Sequence, residues 1–204
     1  MKRLVDLLCA FVGLIVLFPV IILVSLVVLI DSGRPILFIQ ERIGLHGRLF
    51  NCYKFRTMKT GAAMLFNDDG STLVSKYDPR VTRVGRLLRR FHIDELPQLW
   101  NIILGQMSLV GPRPDLPHFW GVYDSAQRRR FTVKPGMTGL AQINQRNAPT
   151  VDERVSYDLE YVTGYSLWLD LKILLKTLAV ILDGSSAHDG YMNRESGSEG
   201  YRGM

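Results

Sequence analysis

The chain has 204 residues, of which 47% are hydrophobic and 22% charged, with a net charge of +6. That length suits one domain with a real core, and the composition excludes a wholly disordered chain, a collagen-like repeat and a polytopic membrane protein. The excess charge is Arg gathered in a few segments, which points to phosphate-bearing or anionic-surface partners.

Taken in chain order, the first feature is an apolar run from Leu7 to Ile30, broken only by Gly13, Pro19 and Ser25. As one helix it would reach roughly 36 Å, enough to cross a hydrocarbon core of about 30 Å. The run ends in Asp31-Ser32-Gly33-Arg34 without a small-x-small cleavage site, so it is expected to stay in the mature protein. Pro19 removes a backbone hydrogen bond mid-run and predicts a kink there. Lys2 and Arg3 precede the run while Arg34 and Arg42 follow it, so the charge rule for orientation is met if both ends face the cytoplasm. Physics alone leaves a spanning helix and a re-entrant one equally open. Cys9 and Cys52 do not form a disulfide framework, and the four scattered histidines argue against zinc.

After the apolar run, 35–40 and 49–58 read as strands joined by the turn Gly44-Leu45-His46-Gly47, giving a hairpin. Helix-like stretches are predicted over Arg80 to Phe91 and over about Asp94 to Ile103. The stretches 111–117 and 135–139 carry too much Pro and Gly for regular structure and are candidate site loops. Val151 to Thr163 reads as a helix. Leu167, Trp168, Leu171, Leu174, Leu175, Leu178, Ile181 and Leu182 then repeat at helical spacing, a stripe meeting either the core, the favoured side, or a membrane interface. Residues 183–204 are Gly, Ser and charge, and read as a disordered tail.

Chemistry concentrates between 78 and 114. Arg80, Arg83, Arg86, Arg89 and Arg90 follow one another with no acidic residue between them, a face that repels itself unless anions meet it. Alone, such a row would read as a solvated face or an anionic-lipid contact. Asp94 and Glu95 follow at once; a lone Asp-Glu pair is usually a helix cap. Two carboxylates, an arginine row and a Gly-Pro-Arg-Pro loop within 35 residues are nevertheless the mixture that Mg²⁺ with phosphates requires: hard oxygen ligands and guanidinium forks.

The motifs DPRVTRVGRLLRR at 78–90, DELPQLWN at 94–101, MSLVGPRP at 107–114 and KPGMTGLAQIN at 134–144, with QERIGL at 40–45 and YKFRTM at 53–58, resemble the bacterial monotopic phosphoglycosyl transferases. The size is similar to that of the small, single-domain members, without the additional N-terminal membrane domain of larger ones. The resemblance covers about Lys2 to Leu182. It implies an α+β fold: a re-entrant membrane helix-break-helix over 1–32, broken at Pro19, then a cytoplasmic catalytic domain over 33–182. That domain would hold a short β-hairpin and several helices, some amphipathic at the membrane interface, followed by the tail 183–204.

The activity implied is transfer of a phospho-sugar from a UDP-sugar to undecaprenyl phosphate with release of UMP, the first membrane step of bacterial glycan assembly. Asp94 would be the nucleophile forming an aspartyl phospho-sugar, and Glu95 would help Asp94 hold Mg²⁺. Arg89, Arg113 and Arg146, with Lys54 and Arg56, would contact phosphate or substrate. The partners implied are the UDP-sugar, undecaprenyl phosphate and lipids of the bacterial inner membrane, with the catalytic domain on its cytoplasmic face; a homodimer is left open. Nucleic acid is disfavoured, since the basic residues lack interleaved aromatics. Phe18 before the proline, His92 before the acid pair, Gln106 and Gln145 depart from the family's usual residues. A tethered, non-catalytic anion-binding protein is the rival reading.

Overall fold

The structure, a computed structural model, describes residues 1–66, 78–144 and 150–182. Helix α1 (Lys2–Ser32) is long and apolar enough to cross a membrane. It is one continuous helix, and the expected break is corrected here, because Pro19 lies inside it without interrupting it. The physical reason is tertiary. Asp6, Ala10, Leu14, Leu17, Ile21, Val24 and Val28, three or four apart, form one stripe docked on the rest of the molecule, with contacts on both sides of the proline. Those contacts offset the single hydrogen bond that proline removes. The opposite face, Leu8, Phe11, Ile15, Phe18, Ile22, Leu26 and Ile30, is apolar and exposed.

Both ends of α1 are tied to the same domain. Lys2 Nζ bonds Asp170 Oδ2 at 2.6 Å and Arg3 Nη1 donates to the Ile102 carbonyl at 2.6 Å. Asp6, the one acid within the docked stripe, accepts from Ser108 Oγ at 2.9 Å and from the Leu109 amide at 3.1 Å. Thirty residues on, Arg56 Nη2 donates to the Ser32 and Gly33 carbonyls at 2.5 and 2.7 Å.

The expected hairpin forms from β1 (Leu37–Ile43) and β2 (Leu49–Phe55), antiparallel with Leu37 opposite Phe55 and Ile43 opposite Leu49. Alternation along β2 buries Phe50 and Cys52 against α1 and α3 (Gln98–Ile103), and Lys54 follows on the same face. Helix α2 (Arg83–Arg90) begins later than the sequence suggests, since Thr82 caps it by accepting from the Gly85 amide at 2.8 Å. Gly85 lets α2 lie against the strand end: a Cβ there would stand 2.1 Å from the Thr57 carbonyl oxygen.

The stretch 135–139 is not irregular as expected. β4 (Gly136–Thr138) pairs in parallel with β3 (Ser108–Val110). Glycine makes this pairing: a Cβ on Gly136 would lie 2.1 Å from the Gly111 nitrogen, so the backbones approach more closely than side chains permit. Two short helices, α4 (Phe119–Val122) and α5 (Leu140–Ile143), lead to α6 (Val151–Thr163), which agrees with the sequence reading and opens on a Thr150/Glu153 capping box.

Helix α7 (Leu167–Leu182) corrects the preference for a core stripe. Asp170 and Ile173 are buried, but Leu167, Trp168, Leu171, Leu175 and Leu178 are all exposed. The repeat read in the sequence is largely the outward face; the inward one is partly polar and therefore looked unlike core. The predicted tail 183–204 lies outside the described residues.

Candidate active site

The acid pair sits on a turn, not on the helix expected over Asp94 to Ile103. Ile93–Glu95 form a 3-10 turn, entered through His92 in the left-handed region at φ 54°. That backbone is uncommon outside glycine, though His tolerates it better than branched residues do. Pro97 then leads into α3, where its missing N–H costs nothing. Ile93 and Leu96 press the turn onto Val24, Val28, Phe55 and Leu88, and this anchoring buries both carboxylates.

Glu95 Oε1 accepts from Lys54 Nζ at 2.5 Å and from Arg113 Nη2 at 2.8 Å. Burial pushes its carboxyl upward, but Arg113 and Lys54 outweigh burial and hold it well below the usual carboxylate range. Asp94 behaves oppositely. Burial first, and the neighbouring Glu95 charge second, raise its carboxyl above the ordinary value against the pull of Lys54, Arg89 and His92. Its Oδ1 is buried and has no hydrogen-bond partner among the described residues. One acid is thus neutralised by cations, while the other keeps an oxygen free for a ligand.

The cations come from three elements. Lys54 is delivered by β2. Arg89 stands at the end of α2, where Nε donates to Thr57 Oγ1 at 2.8 Å and the guanidinium feels Asp94. Arg113 projects from the loop between β3 and α4, its side chain half exposed. That loop is pinned from beneath. Arg42 Nη1 donates to the Pro114 carbonyl at 3.1 Å, the Ile43 amide to the Asp115 carbonyl at 2.9 Å, and Arg130 Nη2 to the Arg113 carbonyl at 3.2 Å. Arg130 is itself buried between Asp115 and Asp158, with Tyr123 Oη bonded to Asp115 at 2.7 Å.

Asp94, Glu95, Lys54, Arg89 and Arg113 are therefore brought together. Arg56 is not: it makes no hydrogen bond to the acid pair among the described residues and instead holds Ser32, Gly33 and Thr60. Among the described residues it acts as a tether, donating to carbonyls at the C-terminal end of α1 that the helix itself leaves without partners. Arg146 and Gln145 lie outside the described residues. Of the arginine row, Arg80 forks onto Asp78, while Arg83, Arg86 and Arg90 are exposed.

Sequence reasoning missed Asn101. Fully buried, it accepts from the Tyr53 amide at 3.1 Å and donates to the Asn51 carbonyl and to Gln106 Oε1, both at 2.7 Å. It locks the strand beside Lys54 to the helix after the acid pair. Gln106 serves this clamp through an oxygen, a role a carboxylate would fill equally well. Asn101 closes the motif DELPQLWN at 94–101, the one sequence signal that marks it, but nothing in the motif says that its side chain is buried.

Residues 1–184 match the family described as bacterial sugar transferase. Among relatives, the chain is 43% identical over 188 residues to an undecaprenyl-phosphate glucose phosphotransferase of Komagataeibacter xylinus, covering 87% of this chain and 35% of that protein. It is 44% identical over 182 residues to the uncharacterized sugar transferase EpsL of Bacillus subtilis, covering 89% of this chain and 87% of that one. A UDP-glucose:undecaprenyl-phosphate glucose-1-phosphate transferase of Klebsiella pneumoniae is 40% identical over 185 residues, with 87% of this chain and 39% of that protein covered. The chain thus spans well under half the length of two of these three relatives.

Proposed function

This chain belongs to the bacterial sugar transferase family, and from that premise we propose that it moves a sugar-1-phosphate from a UDP-sugar to undecaprenyl phosphate. The observation that carries the reading is the divided acid pair: Glu95 paired through Oε1 with Lys54 and Arg113, and Asp94 buried with Oδ1 unpartnered. In the proposed first step an Asp94 carboxylate oxygen attacks the phosphorus bonded to the sugar. The bond from that phosphorus to the bridging oxygen breaks, and UMP leaves with the electron pair. A phosphate oxygen of undecaprenyl phosphate then attacks the same phosphorus and Asp94 departs as carboxylate. Burial strips water from Asp94 and makes it the more reactive nucleophile. Lys54, Arg89 and Arg113 supply the positive charge that an anionic carboxylate needs in order to approach a diphosphate.

The donor set fits Mg²⁺, since Asp94 Oδ1 is an orphaned buried oxygen beside a second carboxylate and hard cations favour such ligands. Asp94 and Glu95 would hold it, and when bound it would withdraw charge from the phosphate oxygens. The proposal extends to place: a bacterial inner membrane, with both ends of α1 on the cytoplasmic side. What supports this is that Lys2 and Ser32 are both bonded to one domain while the outer face of α1 is apolar.

Incubation with UDP-sugar and Mg²⁺ without lipid should add a phospho-sugar mass to the peptide carrying Asp94 and release one UMP per site. Asp94→Asn should abolish both, and full activity in Asp94→Asn would overturn the reading. For topology, in a Cys9→Ser background, cysteines at positions 2 and 34 should resist periplasmic labelling in intact cells; labelling of either sinks the single-sided arrangement.

A further inference from the structure

At the N-terminal end of α1 a cavity of about 260 Å³ opens between α1, β3, the segment before β4 and the corner of α6 and α7. Lys2, Arg3 and Lys134 converge on it, with Thr132 and Tyr165 at its wall. Lys2 is satisfied by Asp170 at 2.6 Å and lies 3.9 Å from Asp6. Arg3 is held by the Ile102 and Ile103 carbonyls, which orient its guanidinium without cancelling its charge. Lys134 makes no hydrogen bond or ion pair among the described residues. A Cβ built on Gly105 would lie 3.3 Å from Arg3 Nη2 and 3.7 Å from Lys134 Nζ, so the two cations are at most the sum of those distances apart. Burial, and Arg3 after it, push the Lys134 ammonium below its usual value. Counted against Asp6 and Asp170, the three cations leave one positive charge uncompensated, at the positive end of a 31-residue helix.

Like charges held together around a hollow mark a place for an anion. The surroundings say where that anion sits. Large apolar and aromatic side chains are exposed around this end of the molecule, Leu4 and Leu8 on α1, Leu104 after α3, Tyr165, Trp168 and Leu171 at the start of α7, with Lys172 over the Trp168 ring. A cationic hollow rimmed by aromatic and aliphatic side chains matches the headgroup layer of a bilayer, where phosphate meets the first carbons of the chains.

We propose that this cavity is a headgroup pocket for the phosphate of an anionic phospholipid. It is separate from the acid pair. The turn bearing Asp94 packs on Val24 and Val28, about twenty residues further along α1, roughly 30 Å at helical rise. The pocket therefore stands or falls without the transfer reaction.

The test is thermal unfolding of the full chain in neutral detergent, titrated in parallel with phosphatidylglycerol, phosphatidylcholine, inorganic phosphate and a polyprenyl phosphate. Phosphatidylglycerol should raise the melting temperature saturably, and phosphatidylcholine and inorganic phosphate should not. Lys134→Gln should move the phosphatidylglycerol midpoint to about fivefold higher concentration, the weight of one basic residue at a lipid surface. Lys134→Arg should restore it, and Asp94→Asn should leave it unchanged. No response to phosphatidylglycerol, or an unchanged midpoint in Lys134→Gln, would overturn the pocket. An equal response to inorganic phosphate would overturn the lipid as occupant, as would a polyprenyl phosphate response that alone depends on Lys134.

Discussion

Replacing Glu95 by Gln removes one charge and almost no volume, and it should destabilise the chain as well as slow turnover. In the structure one oxygen, Oε1, serves two cations, Lys54 at 2.5 Å and Arg113 at 2.8 Å. Deleting one member of a buried ion pair typically costs about 3–5 kcal/mol, because the partner stays buried and unpaired. The Arg113 side chain is 49% exposed and can turn to water, so its share falls to the near-zero worth of a surface pair, whereas Lys54, at 20%, cannot. The net expectation is about 2 kcal/mol, which for a domain of this size is about 4–8 °C in melting temperature. Turnover should fall about a hundredfold or more, since Lys54 and Arg113 lose the anchor that aims them. A double-variant cycle isolates the pair. Lys54→Met should cost clearly less in the Glu95→Gln background than in the wild type, by about 1 kcal/mol or more. A Glu95→Gln protein that melts with the wild type, or strictly additive losses in the cycle, would show that Glu95 does not organise these cations.

Arg113→Ala should lower turnover by orders of magnitude with a small change in melting temperature, and Lys should restore little, because it lacks the planar fork; steady-state rates and melts on the same samples check both. Asn101→Leu strands the Tyr53 amide and the Asn51 carbonyl in a fully buried setting, so a loss of about 3 kcal/mol or more is expected by denaturant titration, with Lys54 misplaced as its consequence. Asp158 should impose a pH slope on stability. Burial raises its carboxyl to about 6 despite Arg130, so between about pH 4 and 6 the folded chain keeps a proton that the unfolded chain has released. Stability therefore falls as pH rises through that window, by up to about 1.4 kcal/mol per unit, and Asp158→Asn should flatten the slope in melts recorded from pH 4 to 7.

The hairpin, α6 and the extent of the apolar helix were legible in the sequence because each depends on local pattern: alternation with a Gly-rich turn, a capping box before a periodic run, and unbroken hydrophobicity. The parallel pairing of Ser108–Val110 with Gly136–Thr138 was not, since its strands are three residues long and joined by a distant crossover; periodicity has no room to appear in three residues. For α7 the period was right and the facing was not. A helix whose inner side carries Asp170 and Thr177, satisfied by Lys2, Tyr161 and Thr138, hides its core behind polar residues.

Within the site, the residue types that chemistry on phosphates requires were legible in the sequence itself, because two carboxylates, an arginine row and a Gly-Pro-Arg-Pro loop fall within 35 residues, although each alone has commoner uses. Which of them meet was decided only by tertiary structure. Glu95 and Lys54 are 41 positions apart and Glu95 and Arg113 are 18 apart, yet they share one oxygen. Arg56, two residues from Lys54, is drawn instead to the end of α1. Charge is a property of the residue and can be read along the chain. Neutralisation is a property of distance, and distances between separate elements are set by how α1, the hairpin and the acid-bearing turn pack their apolar faces together.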